Sequence, residues 1–431
     1  YFYFIESDKE PNNWESYFGG SVWEPVPGTN KYYLHSFHKD QPDLNWQNPV
    51  LREEIYTMIN WWLDKGIAGF RIDAIINIKK DLEWRSLPSD RANGLVPVPE
   101  SLVNAQPIEP FLQELKERTF AKYNAFTVGE VFNETDEELH FFIGKDGVFS
   151  SIFDFKQTML GQEGKGWFDH TLPTADELKE SIFQAHERAD SIGVLSTIIE
   201  NHDEPRGVSH YIAEGPVNDT SKKALGTIQV LRKGIPFIYQ GQEIGMENQV
   251  FESVEDFDDI ATINGYHVAK EAGLSEEEAL AAIAKYSRDN ARTPMQWTAE
   301  PGLGFSDGPA WLISPKPDYS INVEDQEKDP DSILNYYRQL TALYRQPLYG
   351  NTIRFGDMIP AYRDRENIIA FERRGDKRLL IVSNFQNRQA SLDLPAPIET
   401  VILTNVTGLF QEGDQVLELA PYQTIVLELA E

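Results

Sequence analysis

The chain has 431 residues, which is too long for a single small module, and 41% of them are hydrophobic, enough to bury a sizeable core. Its 69 acidic and 39 basic residues give a net charge of −30, which makes nucleic acid and anionic membranes poor partners. No run approaches the ~20 apolar residues that cross a bilayer. There is no cysteine, and the eight histidines lack a zinc-binding spacing, so we expect no metal site and no required cofactor.

The first 44 residues are rich in aromatic residues, Asn, Gly and Pro without helical periodicity, which predicts an irregular subdomain. A helix is then predicted from Asn48, the capping residue, with Pro49 in its first turn and Gly66 at its end. Its core-facing side is expected to carry Leu51, Ile55, Ile59, Trp62 and Leu63.

Strand-like and helix-like segments alternate over 45–350. The predicted strands are 67–73, 125–130, 148–155, 194–203 and 235–241, and the predicted helices are 107–119, 134–143, 175–190, 218–233 and 331–346. This alternation predicts βα units around a parallel sheet. From residue 351 the pattern changes to short alternating strands, which predicts a separate all-β domain over 351–431, an antiparallel β-sandwich.

Carboxylates stand at the ends of three predicted strands: Asp73, Glu130 and Asp203. An ionisable group at the mouth of an apolar strand is costly to desolvate unless it is paired or used. Each one alone could be a structural salt bridge or a helix cap, but three on separate strands favour an active site. Two acids facing across a sugar ring are what glycoside hydrolysis needs, and their separation would distinguish the retaining from the inverting reaction.

Several segments resemble, in order, the signature segments of the α-amylase family of glycoside hydrolases. They are QPDLNW (41–46), GFRIDAI (69–75), FTVGEVFN (126–133) and IIENHDEPR (198–206). With GQEIGM (241–246) and RDNARTPMQW (288–297), the sequence resembles the oligo-1,6-glucosidase and α-glucosidase branch over essentially its whole length. This resemblance implies an α/β fold, a TIM-type (β/α)8 barrel, and a retaining double displacement.

By the same resemblance Asp73 is the nucleophile, Glu130 is the general acid and then the base, and Asp203 binds sugar hydroxyls and favours the transition state. We expect neighbouring carboxylates, helped by burial, to raise the pKa of Glu130. Arg71 lies two residues before Asp73, on the same strand face, and is expected to keep the nucleophile ionised and oriented.

Further residues are assigned to the substrate by resemblance. His202 contacts the sugar at the cleavage subsite, and a buried core histidine is the alternative. Arg292 clamps the terminal glucose, which implies exo action, and a surface arginine is the alternative because its usual acidic partner is not visible. Phe132 and Asn133 face the leaving sugar, with core packing open for Phe132. The position of Ala74 is commonly Val in α-1,6 enzymes, so we expect an α-1,4 or broad preference.

The strands resemble the fourth to the eighth of the family barrel, and the first three are absent from this sequence. Residues 1–44 then resemble the end of the domain inserted after the third strand. A five-unit barrel has open parallel edges. We therefore expect a further N-terminal segment, in a longer protein or as a separate chain, which would also hold any structural Ca²⁺. A cytoplasmic location is expected.

The sequence predicts an exo-acting retaining α-glucosidase that releases glucose from the non-reducing end of short α-glucosides. The alternatives within the family are an oligo-1,6-glucosidase or dextran glucosidase, a trehalose-6-phosphate hydrolase and a glucosyltransferase. Non-catalytic relatives usually lose catalytic carboxylates and carry a membrane segment, and this sequence shows neither change.

Overall fold

The computed structural model describes residues 1–91, 93–132, 134–162, 166–213, 215–408 and 410–430. The chain forms two compact units, Tyr1–Phe153 and Asp154–Glu431. Within the described ranges no helix combines the length and the apolar composition that crossing a membrane requires.

The strands of the first unit are β1 Phe4–Glu6, β2 Trp14–Glu15, β3 Trp23–Pro25, β4 Lys31–Leu34, β5 Gly69–Ile72, β6 Val96–Pro97, β7 Phe126–Gly129 and β8 Ser151–Phe153. Its α-helices are α1 Pro49–Asp64, α2 Val98–Ser101, α3 Glu109–Arg118, α4 Phe120–Tyr123 and α5 Asp136–Ile143. Helices α3 and α5 confirm the helices predicted over 107–119 and 134–143.

Strands β5, β7 and β8 lie side by side and parallel, as the sequence predicts. Gly69 pairs with Phe126, and Val128 pairs with Ser151. A Cβ atom at Gly69 would overlap the backbone carbonyl of Phe126, so this close approach requires glycine. Because the strands are parallel, their carboxyl ends meet at one edge, where Asp73 and Glu130 follow β5 and β7.

Helix α1 begins where the sequence predicts. The Asn48 side chain accepts a hydrogen bond from the Val50 N–H at 3.0 Å, and Pro49 occupies the first helical position. The prediction that Trp62 faces the core is wrong, since the buried side is formed by Leu51, Tyr56, Ile59 and Leu63. The exposed Trp62 lies at the margin of this stripe and packs edge-on against Trp61, with ring centroids 4.7 Å apart.

The first 44 residues contain a small antiparallel sheet with the strand order β1-β4-β3. Beneath it lies an aromatic group that we call the tryptophan cluster: Tyr3, Trp14, Trp23 and Trp84. Trp84 contacts the other three rings, with centroids 5.3 to 5.8 Å apart. Trp14 and Trp23 are buried, so this cluster forms the core of the segment.

The helices of the second unit are α6 Ala175–Ala189, α7 Gly207–Tyr211, α8 Asp219–Leu231, α9 Ile260–Glu271, α10 Glu276–Tyr286, α11 Val323–Lys328, α12 Ile333–Arg345 and α13 Pro347–Phe355. Its strands are β9 Leu195–Thr197, β10 Ile235–Pro236, β11 Asp357–Ala361, β12 Ile368–Arg374, β13 Arg378–Asn384, β14 Ala390–Asp393, β15 Ile398–Thr404, β16 Val416–Leu419 and β17 Thr424–Leu429. Helices α6, α8 and α12 confirm 175–190, 218–233 and 331–346.

Strands β9 and β10 are parallel, with Ile235 opposite Ser196. The end of the chain is antiparallel: one sheet has the order β11-β12-β13-β17-β15, and β14 pairs with β16. The predicted start of the strand pattern at Asn351 is wrong, because Pro347 opens helix α13, which continues to Phe355. Proline fits the first turn of a helix, and the first strand begins only at Asp357.

Candidate active site

The first unit brings Asp73 and Glu130 together through Arg71. The guanidinium hydrogen-bonds Asp73 through Nη1, and its Nη2 lies 2.8 Å from Oε2 of Glu130. The backbone N–H of Ala74 donates to the same Glu130 oxygen at 2.7 Å. The strand register explains this meeting, because Ile72 pairs with Gly129 and each carboxylate is the next residue.

The two carboxyl groups differ in their access to water. The Asp73 side chain is 74% exposed, whereas that of Glu130 is 7% exposed. Burial raises the pKa of Glu130 to about 7, and the Asp73 carboxylate adds to this shift, while the Ala74 N–H and Arg71 oppose it. The sequence predicts neighbouring charge as the main cause, but burial is the larger one. The pair thus combines an accessible carboxylate with an acid that holds its proton near neutral pH.

Ala74 has a left-handed backbone, with φ of +41°. This conformation turns the chain directly after Asp73 and directs the Ala74 N–H at Glu130. A β-branched residue is strongly disfavoured at positive φ, whereas glycine adopts it freely. The backbone therefore restricts which side chains can follow Asp73.

The side chain of Phe132, two residues beyond Glu130, is half-buried and has contacts within the protein. Its orientation toward a leaving sugar stays a prediction. Asn133 lies outside the described residues.

The second unit gathers two arginines and a histidine around Asp203. Oδ1 of Asp203 accepts from Nη2 of Arg292 at 2.8 Å and from Nη1 of Arg288 at 3.1 Å, and Oδ2 lies 3.1 Å from Nε2 of His202. Burial disfavours the charged form of Asp203, but these three groups outweigh burial and hold its pKa well below the ordinary value. Asp203 is therefore an anion at any pH at which the protein would act.

The surroundings of His202 and Arg292 exclude their alternatives. The His202 side chain is 52% exposed, so it is not a core histidine. Arg292 is largely buried, and its Nε also donates to the His202 carbonyl at 2.9 Å. It is therefore not a loose surface arginine, and the structure supplies Asp203 as an acidic partner that the sequence did not reveal.

A buried ion pair stabilises the segment that carries His202 and Asp203. Nη1 of Arg206 lies 3.0 Å from Oε1 of Glu200, and both side chains are almost fully buried. Glu200 also accepts from the Gly207 N–H at 2.6 Å. Glu200, which precedes His202 and Asp203, is thus bound to Arg206 and Gly207, which follow them. Sequence reasoning missed this ion pair, although two opposite charges within IIENHDEPR were the available signal.

The sequence also gave no role to Arg288 and Asp259. Nε of Arg288 donates to Oδ1 of Asp259 at 3.1 Å, and Nη2 contacts the same oxygen. The signal for Arg288 was its position four residues before Arg292 in RDNAR. For Asp259, which lies in the acidic segment SVEDFDDI (253–260), the sequence offers no such signal. Among the described residues, no group of three or more histidines and carboxylates is arranged to hold a metal ion.

An accessible carboxylate beside a buried acid of raised pKa is the arrangement that glycoside hydrolases use. The family model described as "Alpha amylase, catalytic domain" matches residues 1–349. The chain belongs to the α-amylase family, family 13 of the glycoside hydrolases.

Three comparisons show where the chain lies within that family. It is 38% identical to a probable oligo-1,6-glucosidase 3 of Bacillus subtilis over 97% of this chain and 75% of that one. It is also 38% identical to an alpha-glucosidase of Pediococcus pentosaceus, over 80% of this chain and 63% of that one. The crystal structure of the isomaltulose synthase SmuA from Protaminobacter rubrum matches with a TM-score of 0.92 and 32% identity, covering 100% of this chain and 78% of that one.

Proposed function

We propose that this chain is an exo-acting retaining α-glucosidase that releases glucose from the non-reducing end of short α-glucosides, with an α-1,4 or broad linkage preference. The observation that carries the proposal is the pair of Asp73, exposed and held by Arg71, and Glu130, buried with its pKa raised to about 7. The five parallel strands are proposed to be the fourth to eighth of the family barrel. The cytoplasmic location stays a prediction.

In the first step an oxygen of Asp73 forms a bond to the anomeric carbon of the glucosyl group. The bond from that carbon to the glycosidic oxygen breaks, and Glu130 gives its proton to this oxygen, so the leaving sugar departs neutral. Asp73 then carries the glucosyl group as an ester. Arg71 favours this step because its hydrogen bond holds the Asp73 carboxylate in place before attack.

In the second step Glu130, now a carboxylate, takes a proton from water while the water oxygen attacks the anomeric carbon. The ester bond to Asp73 breaks, glucose leaves, and both carboxyl groups return to their starting states. Two inversions give net retention. The chemistry needs two carboxyl groups and water, so we propose that no cofactor is required.

Asp203, His202 and Arg292 are proposed to bind the hydroxyls of the transferred glucosyl group. An anion held at fixed position by cations accepts hydrogen bonds without having to reorganise, which favours the transition state. Arg292 is proposed to bind the terminal glucose, which would limit cleavage to chain ends. Phe132 and Asn133 are proposed to face the leaving sugar.

A second candidate, cleavage of α-1,6 bonds, is favoured by the name of the Bacillus subtilis relative. Glucosyl transfer is a third, because the similar crystal structure is that of an isomaltulose synthase. Transfer differs from hydrolysis only in which hydroxyl attacks the ester, so the same carboxylates would serve both reactions.

The experiment that tests the proposal is product analysis with maltose, isomaltose, sucrose and trehalose 6-phosphate. We expect glucose from maltose, and NMR of the first product should show the α-anomer because the reaction retains configuration. Initial release of β-glucose would contradict the double displacement. A transfer product in place of glucose would favour glucosyl transfer. Cleavage of isomaltose alone would favour specificity for α-1,6 bonds.

The alkaline side of the pH profile should follow Glu130. The acid form is the active one, and it is populated below the Glu130 pKa of about 7 and lost above it. We therefore expect kcat/KM for maltose to fall about tenfold for each pH unit above roughly 7. In the variant Glu130→Gln, this fall should be absent with a nitrophenyl glucoside, and its persistence would assign the titration to another group.

The residue after Asp73 should influence linkage preference. By the family resemblance, Ala74→Val is expected to raise the isomaltose-to-maltose ratio of kcat/KM severalfold. It should also lower the melting temperature, because a β-branched residue is strained at φ of +41°. Ala74→Gly, which removes only the methyl group and suits this backbone, is the matched control. An unchanged ratio in Ala74→Val would remove position 74 from specificity.

A further inference from the structure

Arg288 lies between two carboxylates, and we call this arrangement the Arg288 bridge. Nε and Nη2 face Oδ1 of Asp259, while Nη1 donates to Oδ1 of Asp203 at 3.1 Å. A guanidinium is planar and rigid, so fixing its Nε edge also fixes the direction of Nη1. The orientation of the hydrogen bond to Asp203 is therefore determined at Asp259.

Asp259 is well suited to act as the fixed end of this bridge. Its side chain is buried, and its Oδ2 accepts from the N–H and the hydroxyl of Thr262 at 3.0 and 2.8 Å, so it caps helix α9. Its own N–H donates to Oδ2 of Asp289 at 2.9 Å. Every rotation of Asp259 would break one of these bonds, so the carboxylate holds one position.

The bridge also distributes charge. Oδ1 of Asp203 takes the donors of both Arg288 and Arg292, and Oδ2 lies 3.1 Å from Nε2 of the half-exposed His202, so in the proposed function a sugar hydroxyl would share Oδ2 with His202. Asp259 balances the charge of Arg288. Without that balance, the guanidinium would be drawn fully to Asp203 and would compete with sugar hydroxyls for its lone pairs.

We infer that Asp259 is a positioning residue for the reaction: it holds Arg288 so that Asp203 is aligned for the transition state. This inference rests on the proposed function, because Asp203 must contact the glucosyl group for its alignment to matter. Asp259 itself touches no substrate in this scheme and acts through Arg288.

The test is Asp259→Asn, which keeps the shape of the side chain and removes its charge. We expect kcat for maltose to fall about 10²-fold, as for the loss of one aligned transition-state donor. The Ki of a glucose-configured iminosugar, a cationic mimic of the transition state, should rise by a similar factor. The Kd of glucose should change less than about threefold. A purely structural role would lower the melting temperature and leave kcat and the Ki unchanged.

A double-mutant cycle separates the bridge from general damage. Arg288→Lys lacks the planar guanidinium. Its loss of kcat should not add to the loss in Asp259→Asn, because both variants remove the same Arg288 bridge. Asp256→Asn is the matched control: it removes a carboxylate of the same acidic segment that accepts from the N–H groups of Glu252 and Ser253, and none of its described hydrogen bonds reaches Asp259 or Arg288. We expect its kcat to stay within about twofold of the parent chain. Additive losses, or an equal loss in Asp256→Asn, would overturn the inference.

The variant Asp203→Asn distinguishes a failure of the Arg288 bridge from a failure of the proposed function. A large loss in Asp203→Asn with near-normal kcat in Asp259→Asn would overturn the bridge alone. Near-normal turnover in Asp203→Asn would overturn the assigned role of Asp203 and the bridge with it. Iminosugar binding measured by calorimetry gives the same comparison without turnover.

Discussion

Asp73→Asn is expected to lower kcat for maltose by about four orders of magnitude while the protein stays folded. The amide has nearly the shape of the carboxylate and can still accept from Arg71, but its oxygen is a poor nucleophile and cannot form the glucosyl ester. Steady-state kinetics together with circular dichroism would measure both parts of this expectation. Asp40→Asn, at a comparably exposed carboxylate, is the matched control and should retain full turnover.

Azide sharpens the test of the nucleophile. In Asp73→Gly, azide can occupy the vacated space and attack an activated α-glucoside from that face, which should yield β-glucosyl azide. This product identifies the side from which Asp73 attacks. Turnover of Asp73→Asn within tenfold of the parent chain, or α-glucosyl azide from Asp73→Gly, would contradict the assignment.

Glu130→Gln is expected to separate substrates by their leaving groups. The sugar that leaves from maltose needs a proton, so its release should slow by about 10³-fold. A nitrophenolate leaves without protonation, so formation of the ester from a nitrophenyl α-glucoside should slow less than about tenfold. Burst kinetics would measure this step, because the ester should accumulate when water lacks its general base.

The second half of the reaction provides the control for Glu130→Gln. Azide needs no general base and should attack the ester in this variant, which would give α-glucosyl azide and restore turnover. The configuration is opposite to that expected from Asp73→Gly because a further inversion takes place. Equal losses on maltose and on the nitrophenyl glucoside would argue against the acid role.

The sequence predicts features that depend on neighbouring residues. The start of α1 follows from the capping chemistry of Asn48 and Pro49, and the parallel strands of the first unit follow from apolar runs between helices. The meeting of Arg71, Asp73 and Glu130 could be expected because adjacent parallel strands end at one edge. These are consequences of local pattern and of strand topology.

Features that depend on distant contacts were not predictable. The sequence shows no reason for Asp259 to reach Arg288, because 28 residues and two helices intervene. The leading effect of burial on Glu130 depends on how the surrounding chain packs, which no local pattern reports. Trp62 was misplaced because helical periodicity identifies a stripe but does not define how wide the buried part is.

The tryptophan cluster gives the first unit an optical signal of its own. Trp14 and Trp23 are shielded from water, whereas Trp297 and Trp311 of the second unit are exposed. Shielded indoles emit at shorter wavelengths than hydrated ones, so the blue part of the native fluorescence should come mainly from the cluster and from Trp46, which is also buried in the first unit. During heating, the loss of this blue emission would mark the unfolding of the first unit. Far-ultraviolet dichroism follows the helices of both units, so a difference between the two melting curves would show that they unfold in separate steps.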